Sequence, residues 1–230
     1  MKPGTLYIIA TPIGNLEDIT RRAIKILSET VDTVFCEDTR QTRKLLVRYQ
    51  ITARTESLHA HSSELKITRA IDLLKKGSSV AYLTDSGTPG LSDPGAKLVS
   101  RARDSGLNVC PIPGASALTS LVSVSGYQGK NIMFAGFLSK KGNKRKNELK
   151  KLGKFEGLIV LYESPYRIKK LLNAIHETFP KQRVIVAREM SKIHEEFLSY
   201  SGDDFESFLD SVTEKGEFTV AIFNDLPHLT

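Results

Sequence analysis

With 230 residues, 40% hydrophobic and 26% charged, the chain suits one large globular domain or two small ones, with ample core either way. No apolar run approaches the roughly 18 residues of a membrane helix, and Met-Lys-Pro-Gly-Thr leads into a strand without a signal-peptide pattern. Cys36 and Cys110 make neither a disulfide framework nor a zinc pattern, so the expectation is a cytoplasmic protein with two buried free thiols.

The first half alternates strand and helix patterns. Leu6 to Ala10 predicts a short strand, and Ile19 to Leu27 a helix with Ile19, Ala23, Ile26 and Leu27 on one face. A strand from Val31 to Cys36 and a helix from Thr39 to Tyr49 follow. Ser63 to Lys75 reads as a helix with an apolar stripe of Leu65, Ile67, Ala70, Ile71 and Leu74. Val80 to Leu83 reads as a buried strand, then a helix near 95–105, a strand at 107–112 and a helix from about 115 to 123. Repeated β-α units predict a mostly parallel sheet covered by helices.

Residues 140–154 break this rhythm with eight Lys or Arg against one Glu, which equals the whole net charge of +7. Such a segment suits a polyanion such as RNA, and Lys144, Arg145 and Lys146 are candidate phosphate contacts. Few aromatics interleave with these lysines, so phosphate contact is expected rather than base stacking. The composition change places a domain boundary at Ser139, giving an N-terminal domain over 1–138 and a C-terminal domain over 139–230. Beyond it the pattern predicts strands at Leu158–Tyr162, Arg183–Ala187, Phe197–Ser201 and Phe218–Phe223, and helices at Tyr166–Thr178 and Asp204–Val212.

The chemistry is expected at strand ends, where open α/β sheets bind ligands. Residues 84–95 read Thr-Asp-Ser-Gly-Thr-Pro-Gly-Leu-Ser-Asp-Pro-Gly, a glycine-rich turn between a strand and a helix. It carries no Gly-Lys-Ser/Thr and lacks the dinucleotide glycine spacing, so it is neither kind of phosphate loop. Five more polar clusters close strands: Ala10 to Asn15, Cys36 to Arg40, Pro111 to Ala117, Tyr162 to Arg167 and Ala187 to Glu196. Asn15 is placed to cap the helix after it. Clusters in both halves suggest a cleft between two domains. His59-Ala-His61 with Glu64 has some metal-ligand character, but a surface loop is the better reading, and no metal is expected.

Thr-Pro-Ile-Gly-Asn at 11–15, Glu-Asp-Thr-Arg at 37–40 and the turn at 85–95 resemble the tetrapyrrole methylase-like (class III) methyltransferases. Pro-Gly-Ala-Ser-Ala at 113–117, Glu-Ser-Pro-Tyr-Arg at 163–167 and Arg-Glu-Met-Ser-Lys-Ile-His-Glu-Glu at 188–196 are similar to its bacterial branch that 2′-O-methylates a cytidine of small-subunit (16S) ribosomal RNA near the decoding centre. The resemblance implies two α/β domains with mostly parallel or mixed sheets, S-adenosylmethionine between them, and a homodimer. It implies cofactor contacts at Gly87, Thr88, Pro89, Leu91, Ser116 and Ala117, and at Tyr162, Ala187 and Phe218. Tetrapyrrole-modifying relatives commonly read Gly-Asp-Pro-Phe where 87–90 read Gly-Thr-Pro-Gly, which counts against a porphyrinoid substrate.

Methyl transfer to a ribose hydroxyl needs in-line positioning and a means of removing the proton. Glu37 and Asp38 are the candidate carboxylates, although Asp38 also suits a helix cap and Glu37 a structural pair with Arg40. Arg40, Arg43 and Arg188 are candidates to hold phosphates or steady an oxyanion. Two other functions remain open at this level: methylation of a tetrapyrrole by the same fold, and a non-catalytic RNA-binding role in ribosome assembly.

Overall fold

In the computed structural model, residues 2–59 and 64–224 are described. Contacts divide the chain into two compact units, Met1–Ser116 and Ala117–Thr230. The division falls earlier than the composition change at Ser139, because residues 117–138 pack and pair with the strands that follow them.

The first unit contains β1 (Thr5–Ile9), α1 (Arg21–Glu29), β2 (Thr33–Cys36), α2 (Thr39–Arg48), β3 (Arg54–Ser57), α3 (Glu64–Lys75), β4 (Val80–Leu83), α4 (Ala96–Asp104) and β5 (Asn108–Ile112). Its five strands are all parallel, in the order β3-β2-β4-β1-β5. The central strands β2 and β4 are buried throughout, which explains their unbroken apolar runs. Two cores flank the sheet. Ala23, Ile26 and Leu27 of α1 pack with Leu45 and Leu46 of α2 on one face. Ile67, Ala70, Ile71 and Leu74 of α3 pack with Leu98 and Ala102 of α4 on the other.

Three expectations need correcting here. Leu65 is 79% exposed and stands outside the α3 stripe. Cys110 is half-buried rather than buried, because β5 is an edge strand. Asn15 caps not a long helix but the short 3-10 turn Leu16–Asp18, accepting from Glu17 N–H at 3.0 Å; α1 starts later, where Thr20 Oγ1 accepts from Ala23 N–H. The edge strand β3 escaped the periodicity because Arg-Thr-Glu-Ser has no apolar alternation; Glu56 on it takes Arg54 and Arg69 as partners.

The second unit contains α5 (Ala117–Ser125), β6 (Ile132–Phe137), α6 (Gly142–Leu152), β7 (Gly157–Glu163), α7 (Ile168–Thr178), β8 (Val184–Arg188), β9 (Glu196–Tyr200), α8 (Phe205–Ser211) and β10 (Phe218–Asn224). Its sheet is mixed, in the order β6-β7-β10-β8-β9. β6 and β7 are parallel, and the remaining pairs are antiparallel. Its core joins Leu149 of α6 and Leu171, Leu172 and Ile175 of α7 to Ile159, Leu161, Val186 and Val220 of the sheet. α5 packs against β10. Among the described residues no helix is long and apolar enough to cross a membrane.

Candidate cofactor and substrate site

All strands of the first unit run the same way, so the segments after β1, β2, β4 and β5 emerge at one edge. α1 carries the chain from β1 towards β2, and α4 carries it from β4 towards β5, on opposite faces. The β1 and β4 ends thus mark the switch point where such sheets open a ligand crevice. They are joined there. Thr11 N–H donates to Gly87 O at 2.9 Å and Gly87 N–H to Thr11 O at 3.1 Å. The buried Thr11 hydroxyl donates to Thr84 O at 3.2 Å. Thr88 Oγ1 donates to Ala115 O at 3.2 Å, bringing in the segment after β5. Gly114 is needed for that approach, because a Cβ there would lie 3.1 Å from Ala10 Cβ.

Gly87, Thr88, Pro89, Leu91 and Ser116 therefore share one strand-end cluster in the first unit. Gly87, Gly90 and Gly95 have φ of +78°, +84° and +118°. At Gly95 the reason is also steric, since a Cβ would meet Tyr82 Cε1 at 2.6 Å; at Gly90 no atom lies within 4 Å of that position. An apolar pocket of about 330 Å³ lies on the α4 side of the turn, lined by Ile8, Val109, Pro111, Val99 and Pro89 with Arg103.

Within the second unit, Ala117, Tyr162, Ala187 and Phe218 also converge. Tyr162 and Ala187 both pair with Thr219 of β10, and Phe218 precedes it. The Tyr162 hydroxyl accepts from Leu118 N–H at 3.1 Å, beside Ala117 in the first turn of α5.

Glu37 and Asp38 follow β2, and the structure adds Asp85, after β4. Asp85 Oδ1 accepts from Asp38 N–H at 3.0 Å. The Asp85 backbone also faces the Glu37 carboxylate and partly offsets the rise that burial causes there. Burial, then the Asp85 charge, pushes the Glu37 carboxyl above its ordinary value; burial likewise raises Asp85. Asp38 differs. It caps α2 through Arg40 N–H at 2.8 Å and grips the Arg40 guanidinium at 2.7 Å, which holds its carboxyl down at about 2. Asp38 thus serves the helix start, whereas Glu37, among the described residues, has no such cation on its carboxylate and holds its proton more tightly. Asp85 sits in the motif that the sequence made prominent, but only the sheet order reveals that β2 and β4 are neighbours.

The residues expected to contact RNA differ in their surroundings. Arg43 and Lys144 are exposed. Lys146 pairs with Glu177 at 2.6 Å, and Arg188 with Glu196 at 2.8 Å. Arg145 is buried at 9% exposure, with its Nε lacking a partner, so its guanidinium is not displayed as Lys144 is. His61 lies outside the described residues. Among the described residues, no group of three or more His, Cys, Asp or Glu is arranged to hold a metal ion.

The model of the tetrapyrrole (corrin/porphyrin) methylases matches residues 5–204. The chain belongs to this family. A protein of Borrelia garinii subsp. bavariensis named ribosomal RNA small subunit methyltransferase I is 45% identical over 94% of this chain and 97% of its own. Proteins of the same name from Leptospira biflexa and Thermotoga maritima are each 43% identical, over 94% and 95% of this chain and 89% and 98% of their own. Among solved structures, the cobalt precorrin-4 methyltransferase CbiF superposes with a TM-score of 0.70 at 16% identity, covering 97% of this chain and 96% of its own. The uroporphyrin-III-C-methyltransferase of Thermus thermophilus gives 0.64 at 16% identity, covering 96% and 95%. At such identities these two establish the fold and nothing finer.

Proposed function

We propose that this protein uses S-adenosylmethionine to methylate the ribose 2′-hydroxyl of a cytidine in small-subunit (16S) ribosomal RNA, near the decoding centre. The observation that carries this reading is its end-to-end similarity, at 43–45% identity, to proteins named ribosomal RNA small subunit methyltransferase I. The reading includes a cytoplasmic homodimer and no metal.

The donor set fits the cofactor. Glycine backbone at positive φ and the turns at 84–88 and 113–116 offer carbonyls and amides, while Tyr162, Ala187 and Phe218 offer apolar surface. No phosphate has to be held, and no lysine stands in the turn. We assign cofactor binding to Gly87, Thr88, Pro89, Leu91, Ser116, Ala117, Tyr162, Ala187 and Phe218. The bound cofactor supplies a methyl carbon made electrophilic by the sulfonium. Glu37 takes the proton from the ribose hydroxyl, and its raised affinity for protons suits that task at neutral pH. Asp85 fixes the segment that carries Glu37 by accepting from Asp38 N–H. Arg40 and Arg43, exposed on α2 beside these carboxylates, hold RNA phosphates.

The names of the solved relatives keep a tetrapyrrole acceptor as the second reading. The cationic segment at 140–154 and Gly-Thr-Pro-Gly at 87–90 favour RNA. Methyl-labelled cofactor offered with both acceptors separates them: label in ribosomal RNA is expected, and label only in a porphyrinoid would replace the proposal.

A further inference from the structure

Few aromatics interleave with the lysines of 140–154 in the sequence, but the fold sets two exposed rings beside them. Phe137 ends β6 at 53% exposure, and Tyr166 stands 86% exposed in the turn after β7. β6 and β7 are parallel neighbours with Phe137 opposite Tyr162, so both exposed rings belong to the same end of the sheet. Arg167 fastens that end. Its Nη1 donates to Leu138 O at 3.3 Å and its Nη2 meets Glu163 Oε1 at 2.5 Å, which holds the Tyr166 turn against the residue after Phe137. The Phe137 ring is supported from below, packing edgewise on Tyr162 at 5.7 Å, with Phe134 on the same tyrosine at 4.8 Å.

The lysines reach the same place. Ser139 N–H donates to Glu148 Oε2 at 2.8 Å and Lys141 N–H to Ser139 Oγ at 3.3 Å. The 139–141 link is thereby folded onto α6. Lys140, Lys141 and Lys144 are exposed around it. Among the described residues, none of these three has an acidic partner within salt-bridge distance. Exposed rings bordered by unneutralised cations match what single-stranded RNA offers, namely base faces alternating with phosphates. The cations argue against a purely apolar partner surface.

We infer that Phe137 and Tyr166 form a stacking platform for unpaired bases of the RNA substrate, with Lys140, Lys141 and Lys144 on the adjoining phosphates. This inference rests on the ribosomal RNA reading and specifies how that RNA is held.

The test measures affinity for small ribosomal subunits lacking the modification, across a salt series, alongside S-adenosylmethionine affinity. Phe137→Leu and Tyr166→Leu each weaken subunit binding about tenfold, the scale of one lost stack, with an unchanged salt slope. Phe137→Trp and Tyr166→Phe keep a ring and retain near wild-type affinity, which a merely structural role does not require. Joint replacement of Lys140, Lys141 and Lys144 by Ala lowers the slope by about 2, as expected for three single-strand phosphate contacts. Leucine variants that bind subunits like wild type would overturn the platform. So would variants that lose cofactor affinity instead, or that lose only self-association. Wild-type protein that leaves ribosomal RNA unmethylated would instead count against the parent reading; the platform is judged on affinity alone.

Discussion

Asp85 and Asp38 are joined across two parallel strand ends: the Asp85 carboxylate accepts the Asp38 backbone N–H at 3.0 Å. That bond fixes the segment carrying Glu37, while the Asp85 backbone faces the Glu37 carboxylate. Three carboxylates thus gather at the neighbouring ends of β2 and β4. Such an arrangement costs stability, and the proposed function uses it as the proton acceptor.

The cost has a definite sign. Glu37 holds its proton more tightly in the fold than in the unfolded chain, whose value is 4.5. Stability therefore falls as pH rises from that value through the higher folded one, and the penalty persists at neutral pH. Glu37→Gln should raise the Tm at pH 7, with the gain vanishing below pH 4.5. Turnover should fall at least about a hundredfold, with S-adenosylmethionine binding intact. Unchanged turnover would remove Glu37 from the mechanism.

Asp85→Asn keeps an oxygen for the Asp38 N–H and removes the charge that helps raise Glu37. The acid limb of the kcat/KM profile should move to lower pH. A variant whose activity drops uniformly, with no such movement, would mean that the Asp85 charge does not tune Glu37.

Asp38 has the opposite linkage. Its carboxyl, lowered from 3.8 to about 2 by Arg40, stabilises the fold above pH 3.8, and that contribution is lost as pH falls through about 2. Asp38→Ala should lower the Tm at neutral pH, and the difference from wild type should shrink near pH 2. Thermal melts across that range check it.

Two glycines in one turn should respond differently. Gly95→Ala drives a methyl against the buried Tyr82 ring at 2.6 Å, in a backbone conformation that alanine avoids, and should cost about 2–4 kcal/mol. Gly90→Ala meets no atom within 4 Å and should cost only about 1–2 kcal/mol for its positive φ. Its larger effect should be on cofactor affinity. Urea unfolding and calorimetric titration separate the two.

Arg167 neutralises a carboxylate whose side chain is fully buried, and Glu163 Oε2 has no other partner. Arg167→Ala should destabilise by about 3–5 kcal/mol. The double variant Arg167→Met with Glu163→Leu should recover much of that loss, because no uncompensated charge remains. Denaturant midpoints decide it.

The readable parts of this chain are those whose signal is local. Val80 to Leu83 announced a buried strand because four apolar residues need both faces covered. The glycine turn was legible because positive φ restricts the residue types allowed. β3 and β6 were not legible: Arg-Thr-Glu-Ser at a sheet edge needs no alternation, and Ile132 to Phe137 is interrupted by a bulge near Gly136. Lys146 and Arg145 illustrate a second limit. A cationic run looks uniform in sequence, yet helical geometry turns Arg145 inward and sets Lys146 beside Glu177. Asp85 meets Asp38 only through strand order, which no local pattern encodes.

The measurement that tests the central claim most directly is the position of the transferred methyl. Small subunits lacking the modification are incubated with the protein and methyl-labelled S-adenosylmethionine, and the RNA is digested and analysed by mass spectrometry. The expected result is one labelled cytidine carrying the methyl on its ribose 2′-oxygen. Label on a base, or none in RNA from subunits that bind the protein and cofactor, would contradict the account.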